Sequence, residues 1–146
     1  MTGILLRTTP ETAFILASTA LAFLLAQIIK YFTFQQKQPA PWWRVFFTYG
    51  GMPSVHTATL VAITTSIFLT QGITPLFLLS FVISTLIIRD AMTLRTKIGQ
   101  NAESLDKLLH KHKNLTNTRL GHTLPEVAVG LGIGIASTIM LFLFFF

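Results

Sequence analysis

Between Thr12 and Ile29 only Ser18, Thr19 and Gln27 interrupt an apolar run, close to the roughly 20 residues that an α-helix needs to cross ~30 Å of hydrocarbon. Three further apolar runs follow, from Ser54 to Thr70, from Leu76 to Ile88 and from Leu124 to Phe146. No water reaches the bilayer core, so every backbone N–H and C=O there must be paired within the segment, and runs of this length can only be helices. Helical pattern carries the third run on through Arg95. The spans are expected at about 12–30, 54–70, 75–95 and 124–146, and the fold class is all-α: an integral membrane four-helix bundle forming a single domain over 1–146. Composition agrees, since 51% hydrophobic and 11% charged residues are too apolar for a soluble domain, and 146 residues are too few for two.

A cleaved signal peptide is set aside, because Glu11 precedes the first apolar run and Lys30-Tyr31-Phe32 stands where a small-residue cleavage site should be. The absence of cysteine excludes disulfides, thiolate metal sites and cysteine nucleophiles. A net charge of +6 in a membrane protein points to orientation and lipid contact, not to nucleic acid.

Four spans put the connections at about 31–53 and 96–123 on one face. That face holds Lys30, Lys37, Arg44, Arg89, Arg95, Lys97, Lys107, Lys111, Lys113 and Arg119, against Arg7 alone on the other. By the positive-inside rule the basic face is cytoplasmic, in a cell (inner) membrane.

Local signals punctuate the runs. Thr8-Thr9-Pro10-Glu11 reads as a helix cap with proline in the first turn, and Gln71 to Pro75 as a short turn. Phe34 to Phe47 is a proline-broken linker whose Trp42 and Trp43 suit the headgroup layer. In the connection before the final span, Ser104 to His112 sets Leu105, Leu108 and Leu109 at helical spacing against charged residues. An amphipathic helix there either lies at the interface or packs on the loop. Gly130, Gly132 and Gly134 have no strand before them, so they suit close helix packing and not a nucleotide loop; pairing with a second copy to form a homodimer through Gly130 and Gly134 stays open.

The chemistry gathers at the start of the second span, Gly50-Gly51-Met52-Pro53-Ser54-Val55-His56-Thr57-Ala58-Thr59. A helix N-terminus there offers unpaired N–H groups and the positive end of the macrodipole, which attract anions, and His56 stands one turn in to pass a proton. The topology brings Lys30, Ser54, His56, Arg89, Asp90, Arg95, His122 and Glu126 to the same boundary. Two His, a carboxylate and several cations are what a phosphoester site requires. Each also has a plainer role: Lys30, Arg89 and Arg95 can snorkel to headgroups, and Thr123-Leu124-Pro125-Glu126 is a capping box in its own right. Asp90 pairs with Arg89 or Arg95, or holds a substrate hydroxyl. His110 and His112 read as solvated, Met52 and Met92 as packing, and nothing suggests a metal or other cofactor. Glu126, four residues after His122, could accept from one ring nitrogen, fix the tautomer and leave the other nitrogen as an attacking electron pair.

These stretches, together with Arg89-Asp90-Ala91-Met92-Thr93-Leu94-Arg95-Thr96-Lys97-Ile98-Gly99-Gln100-Asn101-Ala102 and Leu120-Gly121-His122-Thr123-Leu124-Pro125-Glu126-Val127, resemble the phosphatidic acid phosphatase type 2 and vanadium haloperoxidase superfamily, more closely its divergent bacterial branch of short membrane proteins. The likeness covers roughly residues 20 to 135. It implies His122 as nucleophile, Glu126 as its orienting carboxylate, His56 as leaving-group acid, Ser54 and nearby N–H groups as phosphate cradle, and Lys30 as the lysine of the first motif. There are departures. Val55 replaces the glycine of the Pro-Ser-Gly-His motif, and Glu126 stands for Asp. Lys37-Gln38-Pro39 falls where Arg-Pro is expected, leaving Arg44 as a replacement, and Thr116 occupies the position of the arginine six before the nucleophile, leaving Arg95 or Arg119 to substitute.

The resemblance and the location together imply a metal-independent phosphatase acting on a lipid phosphate monoester or diphosphate through a phosphohistidine. The rival is a non-catalytic anionic-lipid-binding or scaffold protein that keeps the architecture. A transporter fits less well, because the charged groups gather at one boundary and not at the midplane.

Overall fold

The computed structural model describes residues 9–35, 43, 51–108 and 121–146. Its helices are α1 (Pro10–Gln35), α2 (Val55–Gln71), α3 (Pro75–Met92), α4 (Leu94–Leu108) and α5 (Leu124–Phe145), with no strand among the described residues. Thr9 caps α1, its hydroxyl accepting from the Thr12 N–H, and Ser54 and Thr74 cap α2 and α3 in the same way. α1, α5 and the run from Pro75 onward are long and apolar enough to cross a membrane. α2, at 17 residues, stands at the lower limit for a span of ~30 Å.

α2 is the centre of the bundle, packed on α1, α3 and α5, while α1 also meets α5. Small residues at four-residue spacing let the axes approach. On α1, Phe14, Ser18, Ala22, Ala26 and Lys30 form one buried stripe; on α2, Ala58, Ala62 and Ser66 do the same; on α5, Gly130, Gly134 and Thr138 complete the seam. Without a hydrophobic drive between helices in lipid, such close contact is what holds spans together. The glycine seam is tight: a Cβ on Gly130 would lie 2.5 Å from the Ser54 carbonyl oxygen, and one on Gly134 would lie 2.6 Å from that of Ala58. Both glycines are thus covered by α2 and are not available to a second copy, whereas Gly132 faces open space. At the end away from Lys30, Phe14 is enclosed by Phe142, Phe145 and Phe146, each with its ring centroid at 5.7 Å.

The hydroxyls inside the bundle are satisfied by their own helices. Thr59, Thr64, Ser66 and Thr70 of α2 donate to carbonyls three or four residues back, as do Ser18 and Thr19 of α1 and Ser137 and Thr138 of α5. Between helices, the Thr64 and Ser84 hydroxyls meet at 3.0 Å and hold α3 to α2. Apart from Ser84 and Ala91, α3 has no buried residue, and Leu78, Leu79, Phe81, Val82, Ile83 and Leu86 face outward.

The structure departs from the sequence reading in three places. The first span does not stop at residue 30: α1 runs to Gln35, so Lys30 lies inside a helix and not at its end. Within the third, expected at 75–95, the helical run does carry on through Arg95, but a turn at Thr93 divides it, so that α3 closes at Met92 and Arg95 belongs to α4. The amphipathic helix expected over Ser104–His112 is α4, which starts ten residues earlier at Leu94. Leu109, His110 and His112 lie outside the described residues, as does Trp42.

Candidate active site

Three backbone ties assemble the site. Gly51, at φ +88°, turns the chain in a way that favours glycine, and the Met52–Pro53 peptide bond is cis. The loop is then fixed on both sides: the Thr33 hydroxyl on α1 donates to the Met52 carbonyl, and the Ser54 N–H donates to the Glu126 carbonyl on α5 at 3.0 Å. The third tie holds the other histidine. The His122 N–H donates to the Ala91 carbonyl, at the end of α3, at 3.1 Å. Beside it, Gly121 passes so close to Thr96 on α4 that a Cβ there would lie 2.9 Å from the Thr96 Cα, in direct collision with its hydroxyl.

His122 and Glu126 are both buried, and Nδ1 stands 3.2 Å from Glu126 Oε2. The same carboxylate oxygen accepts the Thr123 N–H at 3.0 Å, so one side chain both starts α5 and orients the ring. A carboxylate can only accept here, which puts the proton of the neutral ring on Nδ1 and leaves Nε2 with its lone pair. Burial draws the His122 pKa below its ordinary 6.5; Glu126 pulls it up, while Lys30 and Arg95 add to the lowering. The burial effect is the largest of these, so the ring is neutral at pH 7.

His56 is exposed in the first turn of α2, where it feels the charges of Arg95 and Lys30 and lies close enough to His122 to couple with it. Both imidazoles therefore sit in the field of the same two cations. Lys30 is buried on α1, three residues before the Thr33 that grips the loop. Arg95 reaches the site from the first turn of α4, with its Nε–H donating to Asp90 Oδ2 at 3.4 Å across the α3/α4 break. Two helix N-termini, those of α2 and α5, lie side by side there and add the positive ends of their dipoles. The arrangement can bind an anion, attack it from Nε2 of His122 and supply a proton from His56.

Several expected members stand elsewhere. Ser54 is fully buried and serves as the cap of α2: its Oγ accepts the Thr57 N–H and the Thr57 hydroxyl, the latter at 2.9 Å, so it faces inward and not toward an open anion site. The backbone N–H groups of Val55 and His56, ahead of the first helical bond, are the donors left at that terminus. Arg89 is exposed and is not among the charges acting on either imidazole, which separates it from Arg95. Asp90 pairs with Arg95. Arg44 and Arg119, with Lys37 and Thr116, lie outside the described residues. No group of three or more potential metal ligands occurs among the described residues. What sequence reasoning missed are backbone groups, the Ala91 and Met52 carbonyls, and the Thr96–Gly121 contact; only Gly121, directly before the histidine, carried a readable signal.

Comparison with known proteins gives the chain's family. The chain is 31% identical over 157 residues to the uncharacterized membrane protein YuiD of Bacillus subtilis (strain 168), covering 92% of this chain and 97% of that protein. No solved structure matches. The profile of the divergent PAP2 family matches residues 12–137, which takes in both histidines, Lys30, Arg95 and Glu126, and the chain belongs to that family.

Proposed function

We propose that the protein is a phosphatase that hydrolyses a lipid phosphate monoester or diphosphate through a phosphohistidine. The observation that carries this reading is the buried His122–Glu126 pair, Nδ1 to Oε2 at 3.2 Å, beside a second histidine and two cations. In the first step the Nε2 lone pair of His122 attacks phosphorus, the N–P bond forms as the P–O ester bond breaks, and the departing oxygen takes a proton from the His56 imidazolium. In the second, neutral His56 takes a proton from water as the water oxygen attacks phosphorus. The N–P bond then breaks, releasing phosphate and restoring both rings. Glu126 stabilises the charged phospho-imidazole, and Lys30 and Arg95 stabilise the five-coordinate state, where removing one such donor costs ~3 kcal/mol. A lipid substrate is favoured because the site stands at one end of a membrane bundle and meets headgroups first. By the distribution of basic residues the site faces the cytoplasm.

Purified protein in chelator-containing buffer with short-chain phosphatidate and a phosphate assay tests the reading. Turnover blocked by vanadate and lost in His122→Ala is expected, and full turnover in His122→Ala overturns it. The second reading, a lipid-binding protein without turnover, draws on the inward-facing Ser54 side chain. It requires phosphatidate binding with no phosphate release, and tolerance of substitution at both histidines.

A further inference from the structure

α4 holds an unused surface. Leu94, Ile98, Leu105 and Leu108 fall on one face of the helix and all are exposed, while Gly99 is buried on the other side. Asn101 is the one exposed polar residue within that stripe, and the other exposed positions among the described residues, Lys97, Gln100, Glu103, Ser104 and Lys107, are polar. A helix of 15 residues that leaves four large apolar side chains uncovered needs an occupant for that face.

Length identifies it. α3 has 18 residues and at 1.5 Å per residue extends about 27 Å, which accounts for nearly all of the ~30 Å of hydrocarbon. α4 follows after the single break at Thr93, so it begins where the hydrocarbon ends. Its apolar face continues the outward-facing apolar surface of α3, which lies against acyl chains, and its basic residues Lys97 and Lys107 suit anionic headgroups. We infer that α4 lies in the plane of the bilayer interface, with Leu94, Ile98, Leu105 and Leu108 in the boundary between headgroups and acyl chains. The consequence for the site is direct: Arg95 and Thr96 are on the first turns of α4, so an in-plane α4 holds the Arg95 guanidinium at the depth of lipid phosphates. The inference depends on the membrane bundle and not on turnover.

The natural absence of cysteine allows single spin labels in the full chain at Ile98, Leu105, Gln100 and Ser104, all exposed, so that no packing is lost. In vesicles of phosphatidylcholine and phosphatidylglycerol, labels at 98 and 105 should collide more with oxygen than with a water-soluble nickel chelate, and labels at 100 and 104 should show the reverse. Nickel access at all four positions overturns the inference. So does shielding of 98 and 105 from both agents with dipolar broadening between labels, which would mean that a second copy covers the stripe.

Discussion

Gly130→Ala adds one methyl group at the tightest crossing near the site, and its effect can be worked from the distances. The new Cβ would lie 2.5 Å from the Ser54 carbonyl oxygen and 3.1 Å from the Thr57 Cβ, and the first of these is backbone that cannot rotate away. Restoring ordinary contact moves the start of α5 off the start of α2 by nearly an ångström, at an overpacking cost of about 1–3 kcal/mol. Alanine gains roughly 1 kcal/mol of helix propensity over glycine, but Gly132→Ala gains the same and meets nothing within 4 Å. The difference between the two variants therefore isolates the crossing, and Gly130→Ala should be the less stable by about 1–3 kcal/mol when thermal midpoints are compared in one detergent. The same displacement strains the Ser54 N–H to Glu126 carbonyl bond and separates the two histidines. Since a shift of ~1 Å can cost ~100-fold in rate, phosphate release should fall far more in Gly130→Ala than in Gly132→Ala. Equal midpoints and equal rates would refute both the seam and its link to the site.

Because burial lowers the His122 pKa, the neutral ring stabilises the fold fully above pH 6.5, and that contribution is lost as pH falls through the lower folded value. The stability difference between wild type and His122→Asn should shrink on acidification below pH 6.5, and the acid limb of kcat/KM attributable to His122 should lie below 6.5; a difference that grows instead contradicts the burial effect. Asp90→Asn should leave the thermal midpoint within ~1 kcal/mol, as expected for a half-buried ion pair, yet slow phosphate release by up to ~100-fold through the loosened Arg95. If Asp90 acts through Arg95, Asp90→Asn in the Arg95→Ala background should slow it no further, and Asp90→Glu should recover part of the rate. Single cysteines at Gln100 and Thr74 should label from opposite sides of the membrane, Gln100 from the cytoplasm; labelling from one side refutes the four-span topology.

Much of this was readable in the residues. His122 and Glu126 are separated by one helical turn, so their pairing follows from the helix repeat, and the capping role of Glu126 follows from Thr123 three positions earlier. The apolar runs gave the helices because a bilayer permits little else. Arg89 and Arg95 looked alike in the sequence; six positions apart on a helical run they face different ways, and only the packed bundle shows that Arg95 is the one whose charge reaches the imidazoles. The α1 stripe was hidden for a different reason: Ala22 and Ala26 are two apolar residues among many, and their spacing matters only once a partner helix is present. Ser54 was read as an anion ligand from its place in the motif, but the same place makes it the cap of α2, and the cap is what its oxygen does.

The back-bonded hydroxyls of α2 bear on how this protein is made. A segment with Thr59, Thr64, Ser66 and Thr70 would pay heavily to enter lipid if those groups sought partners on neighbours not yet synthesised. Here each already has an acceptor within its own turn. The central helix can leave the insertion machinery early and wait in the bilayer for α5 to arrive.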